Sequence, residues 1–300
     1  VRGRDGAQDR CPVTVLLNLC LAVHVAALMA WFGALSLRRL LGAGQGGGEL
    51  RFLRAAGAVA LATGALWPWL QTAVVSDSAA AGWDPAQVAM VLTQTRFGTT
   101  WLLREVCIAL IVAIAVAPLL AIGRTAYVLV IGALASLALL GHAAGESGAE
   151  GTLDRLALAA HLLAAGAWVG ALPALWVLAG RLASADLARV LERFSRYGVG
   201  LVAVVLASGL LSAWRRTGTW DNLTGSSYGQ ILIVKVAVVA AMGAAALRNR
   251  NRHTPRLGHG DMAVQADARA GLRRTIAVEL ALGLLVIGLA IWLGAAEAPR

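Results

Sequence analysis

Two histidines deep in apolar stretches are the residues of this chain best placed to do chemistry. One opens His24-Val25-Ala26-Ala27-Leu28-Met29-Ala30-Trp31-Phe32-Gly33-Ala34-Leu35; the other opens His161-Leu162-Leu163-Ala164-Ala165-Gly166-Ala167-Trp168-Val169-Gly170-Ala171-Leu172. Both read His, six residues, Trp, one residue, then Gly-Ala-Leu. Seven residues make about two helical turns, so His24 shares a face with Trp31, and His161 with Trp168. The neutral imidazole is a common ligand for copper and for haem iron. A histidine at membrane depth is a functional-site hypothesis by default. Two at matched positions point to a site built on internal symmetry, with Trp31 and Trp168 lining it. A ring that merely bonds a neighbouring carbonyl explains a single histidine better than a matched pair.

Other residues could extend the site. Cys20 lies one turn before His24 on the same face, and a thiolate suits Cu(I). The second copy has Ala157 there, so symmetry favours a core cysteine. His142, in Gly141-His142-Ala143-Ala144-Gly145-Glu146, ends an apolar run and reads either as a third imidazole or entry ligand, or as an interfacial histidine. Arg104 and Lys235, the sole lysine, occupy equivalent places about 10 Å inside one membrane face. They either snorkel to headgroups or bind an anionic group such as a haem propionate. Glu105 neighbours Arg104 but is expected to point elsewhere. Glu279 is expected to pair across helices, with an ion or proton relay as the sharper reading. His253, His259 and Met262 fall in an Arg-rich segment, as solvated residues or a weak exit site; their spacing fits no zinc pattern.

Spanning helices must position these groups. The chain has 300 residues, 59% hydrophobic and 14% charged, too apolar for a soluble domain. Eight runs are long enough to cross a bilayer, about 13–37, 53–75, 97–122, 125–144, 154–180, 194–215, 228–248 and 273–295. The net charge of +10 comes from arginines placed beside these runs, which membrane orientation explains and nucleic-acid binding does not. Segments 38–54, 181–196 and 248–274 are Arg-rich and face the cytoplasm by the positive-inside rule; both termini then lie outside. Trp67, Trp69, Trp83, Trp101, Trp214, Trp220 and Trp292 read as an outer aromatic belt. The first run is too long for a cleaved leader. Cys11, Cys20 and Cys107 make no disulfide framework.

Further matches recur in order. Arg51-Phe52-Leu53-Arg54 answers Arg193-Phe194-Ser195-Arg196, Phe97-Gly98 to Arg104 answers Tyr228-Gly229 to Lys235, and Arg124-Thr125 answers Arg274-Thr275. The expected fold is therefore all-α: eight transmembrane helices as two parallel four-helix repeats, residues 1–144 and 145–300, about an axis along the membrane normal. His24 and His161 would then sit at similar depth. No Walker A motif, nucleophile elbow or pair of catalytic carboxylates occurs, so neither ATP-driven pumping nor enzymatic activity is expected.

Taken together, these pieces resemble the copper resistance protein D (CopD) family. The matching blocks are His24 to Leu35, Gly141 to Gly145, Asp154 through His161 to Leu172, and Arg193 to Arg196. Ala207-Ser208-Gly209, Ser212-Ala213-Trp214, Tyr228-Gly229 to Lys235 and Asn249-Arg250 complete the set. The resemblance implies an eight-helix protein of the bacterial inner membrane that takes copper into the cytoplasm, often with a periplasmic copper carrier of the CopC type. On the copper reading, His24, His142, His161 and Cys20 are the candidate metal ligands. A more distant likeness to membrane b-type cytochromes supplies the alternative, haem b held by His24 and His161 for electron transfer. A purely structural membrane subunit is the third reading, and it would not need matched histidines.

Overall fold

Long apolar runs leave a backbone one way to pair all its N–H and C=O groups without water, which is to coil. The computed structural model describes residues 12–42, 47–116, 123–140 and 148–295, and no strand occurs among them. His142 and Glu146 lie outside the described residues. Seven helices are long and apolar enough to span, and an eighth apolar helix, Arg124–Leu139, is shorter.

Helices α1 (Pro12–Leu41) and α2 (Gly47–Val75) are followed by a short α3 (Pro85–Gln94), then α4 (Arg96–Val116) and α5 (Arg124–Ala135). The second series is α6 (Gly148–Val169), α7 (Leu172–Arg181), α8 (Ser184–Thr217), a short α9 (Trp220–Gly225) and α10 (Ser227–Arg248). A π-turn (Asn249–His253) and α11 (Thr254–Arg256) lead to α12 (Met262–Ala295). Helices α6 and α7 make one span broken at Gly170-Ala171, just before Pro173, whose missing N–H and ring disfavour an unbroken helix.

The Arg-rich segments are more helical than expected. Helix α8 starts at Ser184 and α12 at Met262, about ten residues ahead of their apolar runs, so 181–196 and 248–274 are largely helix rather than loop. Arginine is a good helix former, and hydropathy reports where a bilayer ends, not where a helix does.

Helix α1 is central, packing on α2, α5, α6 and α12. It crosses α6 at the glycines of the two matched stretches. A Cβ on Gly33 would overlap the Gly170 carbonyl carbon, and one on Gly170 would overlap the Met29 carbonyl oxygen. Gly166 and Gly170 form the small-xxx-small spacing that lets membrane helices approach this closely.

A second pair of glycines plays one part twice. Thr95 and Ser226 cap α4 and α10, accepting from the N–H of Gly98 at 3.3 Å and of Gly229 at 3.0 Å. Each glycine packs against carbonyls of the short helix before it, Leu92 for Gly98 and Leu223 for Gly229. The two helices that carry Arg104 and Lys235 thus begin alike.

Candidate functional site

Helix α1 presents Cys20 and His24 to α2 one turn apart. His24 is fully buried, and its Nδ1 lies 3.1 Å from the Ala60 carbonyl oxygen and 3.0 Å from Thr63 Oγ1. A carbonyl can only accept, so Nδ1 carries the proton and donates. The Thr63 hydroxyl agrees, since it donates in turn to the Val59 carbonyl at 2.7 Å. The tautomer leaves Nε2 with its lone pair, and this buried nitrogen has no hydrogen-bond partner. Anchoring one ring nitrogen on a backbone acceptor while the other stays free is the usual posture of a metal-binding histidine. The Cys20 thiol donates to the Thr63 carbonyl at 3.3 Å, so Cys20 and His24 are tied to one residue.

Helices α2 and α4 close the site. Trp67 meets His24 edge to face, ring centres 5.5 Å apart, and Phe97 packs on its other side at 5.6 Å. The Arg104 guanidinium lies 4.4 Å above the Trp67 ring. Arg104 is fully buried, and its three guanidinium nitrogens have no hydrogen-bond acceptor. Glu105 does not point elsewhere: its Oε1 is 3.9 Å from Arg104 Nε, an ion pair too long for a hydrogen bond. Its carboxylate lies over Gly64, where a Cβ would come within 2.3 Å of it. Pro68 lacks the N–H that would bond the Gly64 carbonyl, and the Trp101 indole takes that acceptor at 2.8 Å. Trp67 (5% exposed) and Trp101 are therefore inward parts of the site, not belt residues; Trp83 (80%) and Trp220 (70%) remain exposed as a belt requires.

The second half repeats the anchoring. His161 Nδ1 lies 3.0 Å from Ser208 Oγ, which donates to the Val204 carbonyl at 2.5 Å and so accepts from the ring. Nδ1 again holds the proton, leaving the Nε2 lone pair. The two hydroxyls are out of step with the arginine pairs of the same helices: Thr63 is 12 residues past Arg51 (63 − 51), Ser208 15 past Arg193 (208 − 193). His161 and Lys235 are only half-buried, and a Cβ on Gly209 would lie 3.4 Å from the His161 ring. Trp31 and Trp168 are both buried in the main core, Trp31 over Gly57 of α2.

Each ring is thus anchored in its own half, His24 on α2 and His161 on α8. Cys20, His24, Trp67 and Arg104 come together, while His161 and Lys235 form a second group. Among the described residues, no three His, Cys, Asp or Glu side chains gather as a metal cluster. Glu279 pairs across helices as expected, accepting from Asn249 Nδ2 at 2.7 Å, both buried. His253 is buried in the π-turn over Gly271, while His259 and Met262 are exposed. Thr63 went unread in the sequence, Ser208 stood only in a matching block, and Trp67 was read as a belt residue. The available signal was a hydroxyl residue inside an apolar helix, which needs a local acceptor and can hold a ring.

Residues 12–152 match the family model described as the N-terminal domain of copper resistance protein D-like proteins, and 188–293 match that of copper resistance protein D. The chain is 32% identical to copper resistance protein D of Pseudomonas syringae pv. tomato over 220 residues, covering 68% of this chain and 70% of that one. It is 32% identical to inner membrane protein YebZ of Escherichia coli (strain K12) over 251 residues, 80% and 82% of the two chains. It is 28% identical to copper transport protein CutJ of Bacillus subtilis (strain 168) over 231 residues, 70% of this chain and 39% of that one. No solved structure matches it.

Proposed function

We propose, from the premise that the chain belongs to the copper resistance protein D family, that it moves copper ions across the bacterial inner membrane through intramembrane histidines. It does so without catalysing a reaction. The observation that carries this reading is the buried His24 imidazole, with Nδ1 committed to Ala60 and Thr63 and the Nε2 lone pair free. Such a nitrogen suits a soft cation that tolerates few ligands, and Cu(I) accepts two or three. Cys20 supplies a sulfur beside it. His161, anchored likewise on Ser208, is the second station.

Copper would travel from the periplasmic to the cytoplasmic side, delivered by a CopC-type carrier and received by His142. The termini would lie outside, with the two four-helix repeats related by an axis along the membrane normal. The names of two relatives, a copper resistance protein and a copper transport protein, support copper as the cargo. A third, named as an inner membrane protein, supports the compartment.

The test is copper stoichiometry on purified protein, with uptake measured in cells lacking other importers. His24→Ala and His161→Ala should each lose about one bound copper, and the double variant should lose both and abolish uptake. Full occupancy in a folded double variant overturns the assignment. An absorption spectrum of the same sample decides the alternative: a Soret band that vanishes with His24→Ala would make haem b and electron transfer the function.

A further inference from the structure

The cluster around Arg104 holds more hydrogen-bond donors than the protein satisfies. Its guanidinium is sealed between helices, and Nε, Nη1 and Nη2 all lack an acceptor. Glu105 is the nearest carboxylate at 3.9 Å, and its Oε1 is itself buried without a partner. Trp67 touches both Arg104 and His24, and His24 Nε2 is a buried lone pair with nothing to bind. A dry, unsatisfied guanidinium is costly. A bare metal cation on His24 would set a second positive charge beside it.

In the second half Lys235 holds the position equivalent to Arg104 in the matched order of residues. The residue after Lys235 is Val236, so no counterpart of Glu105 stands beside it. A path for naked cations would surround its histidines with carboxylates; here a buried guanidinium shares Trp67 with His24, and its Glu105 partner is too far to hydrogen-bond it.

Taking His24 as a copper ligand, we infer that copper occupies this site together with a small halide-class anion, which ligates the metal and accepts hydrogen bonds from Arg104. The inference rests on the copper reading above. With the Cys20 thiol keeping its proton on the Thr63 carbonyl, an imidazole–Cu(I)–halide unit is two-coordinate and uncharged, because the halide charge cancels that of Cu(I) and no electron is transferred. It gives His24 Nε2 a metal and Arg104 an acceptor in one step. A halide is also a softer ligand than an oxyanion and so suits Cu(I) better.

The test uses the full-length protein in nanodiscs with Cu(I) kept reduced. Affinity is read at fixed free Cu(I), set by a chelator buffer, in chloride and in gluconate at equal ionic strength. Bromide then replaces chloride for X-ray absorption at the copper edge. Binding should be about tenfold tighter or more in chloride, since a unit counter-charge in a low-dielectric site is worth at least that. A bromine scatterer should appear that depends on His24. Arg104→Gln should erase the chloride gain, and Arg104→Lys should keep part of it. Equal affinity in both buffers with no bromine scatterer overturns the inference while leaving copper binding intact, since water then serves the guanidinium. Tighter copper binding by Arg104→Gln in both buffers also overturns it, because the cation then only repels the metal. Absence of His24-dependent copper in either buffer removes the copper reading itself. The wild-type comparison needs no variant to fold.

Discussion

The His24 and His161 regions share an anchor and differ in enclosure. In the first, α2 and α4 pack along each other, and Trp67, Phe97 and Arg104 shut the ring away from the surface. In the second, α8 and α10 make little contact, their apolar side chains face outward, and His161 stays half-buried. The first cation stacks on tryptophan and has Glu105 near it; Lys235 has neither a neighbouring carboxylate in sequence nor full burial. The same Nδ1 anchoring thus occurs in a closed and in a less closed setting. A ligand leaving His24 must displace packed aromatic groups, whereas one at His161 need not.

The largest expected difference between the two is in chemical access. Acylation by diethylpyrocarbonate, followed by peptide mass spectrometry, should modify His161 on the order of a hundredfold faster than His24, the ratio set by a local opening cost of about 3 kcal/mol. Equal rates would mean that the first site opens as freely as the second, and the contrast would fall.

Removing the anchors should give the next largest effect. Thr63→Val and Ser208→Ala each free the ring tautomer, and loss of such an outer-shell partner typically lowers metal affinity about 10–100-fold. Thr63→Val should sit at the lower end, because the Ala60 carbonyl still accepts from His24 at 3.1 Å. Copper titration of both variants against wild type checks the order. An unchanged affinity for either removes that hydroxyl from the site.

Packing should separate the halves least. Gly64→Ala drives a Cβ to within 2.3 Å of the Glu105 carboxylate, while Gly209→Ala meets the His161 ring at 3.4 Å. The carboxylate can swing, so Gly64→Ala should destabilise by about 1–2 kcal/mol. Gly209→Ala should stay within about 0.5 kcal/mol of wild type. Thermal unfolding in one detergent compares them. A larger loss for Gly209→Ala would show that the second half is the tighter one.

Much of the fold could be read from residue order. Seven of the eight apolar runs became helices long enough to span and the eighth a shorter one, because a bilayer admits nothing else for such segments. The matched stretches were legible because their glycines must be glycine, at the Gly33–Gly170 crossing and under the caps of α4 and α10. Glu279 found a partner across helices because a buried carboxylate has to. The helical reach of the Arg-rich segments was less legible, since a charged amphipathic extension and a charged loop have similar hydropathy. His253 went into the interior through a π-turn that has no clear pattern in residue spacing.

Residue order was enough for the membrane class, the apolar runs, the family and the two histidines, because each depends on local composition or on a motif within one or two turns. Helix packing settled that Nδ1 of each ring is the anchored nitrogen, that Trp67 faces inward, and that Arg104 is sealed without an acceptor. It also decided that one histidine is enclosed and its counterpart half-open. Those properties depend on which neighbouring helix covers a given face and how closely it comes, and no residue carries that information alone.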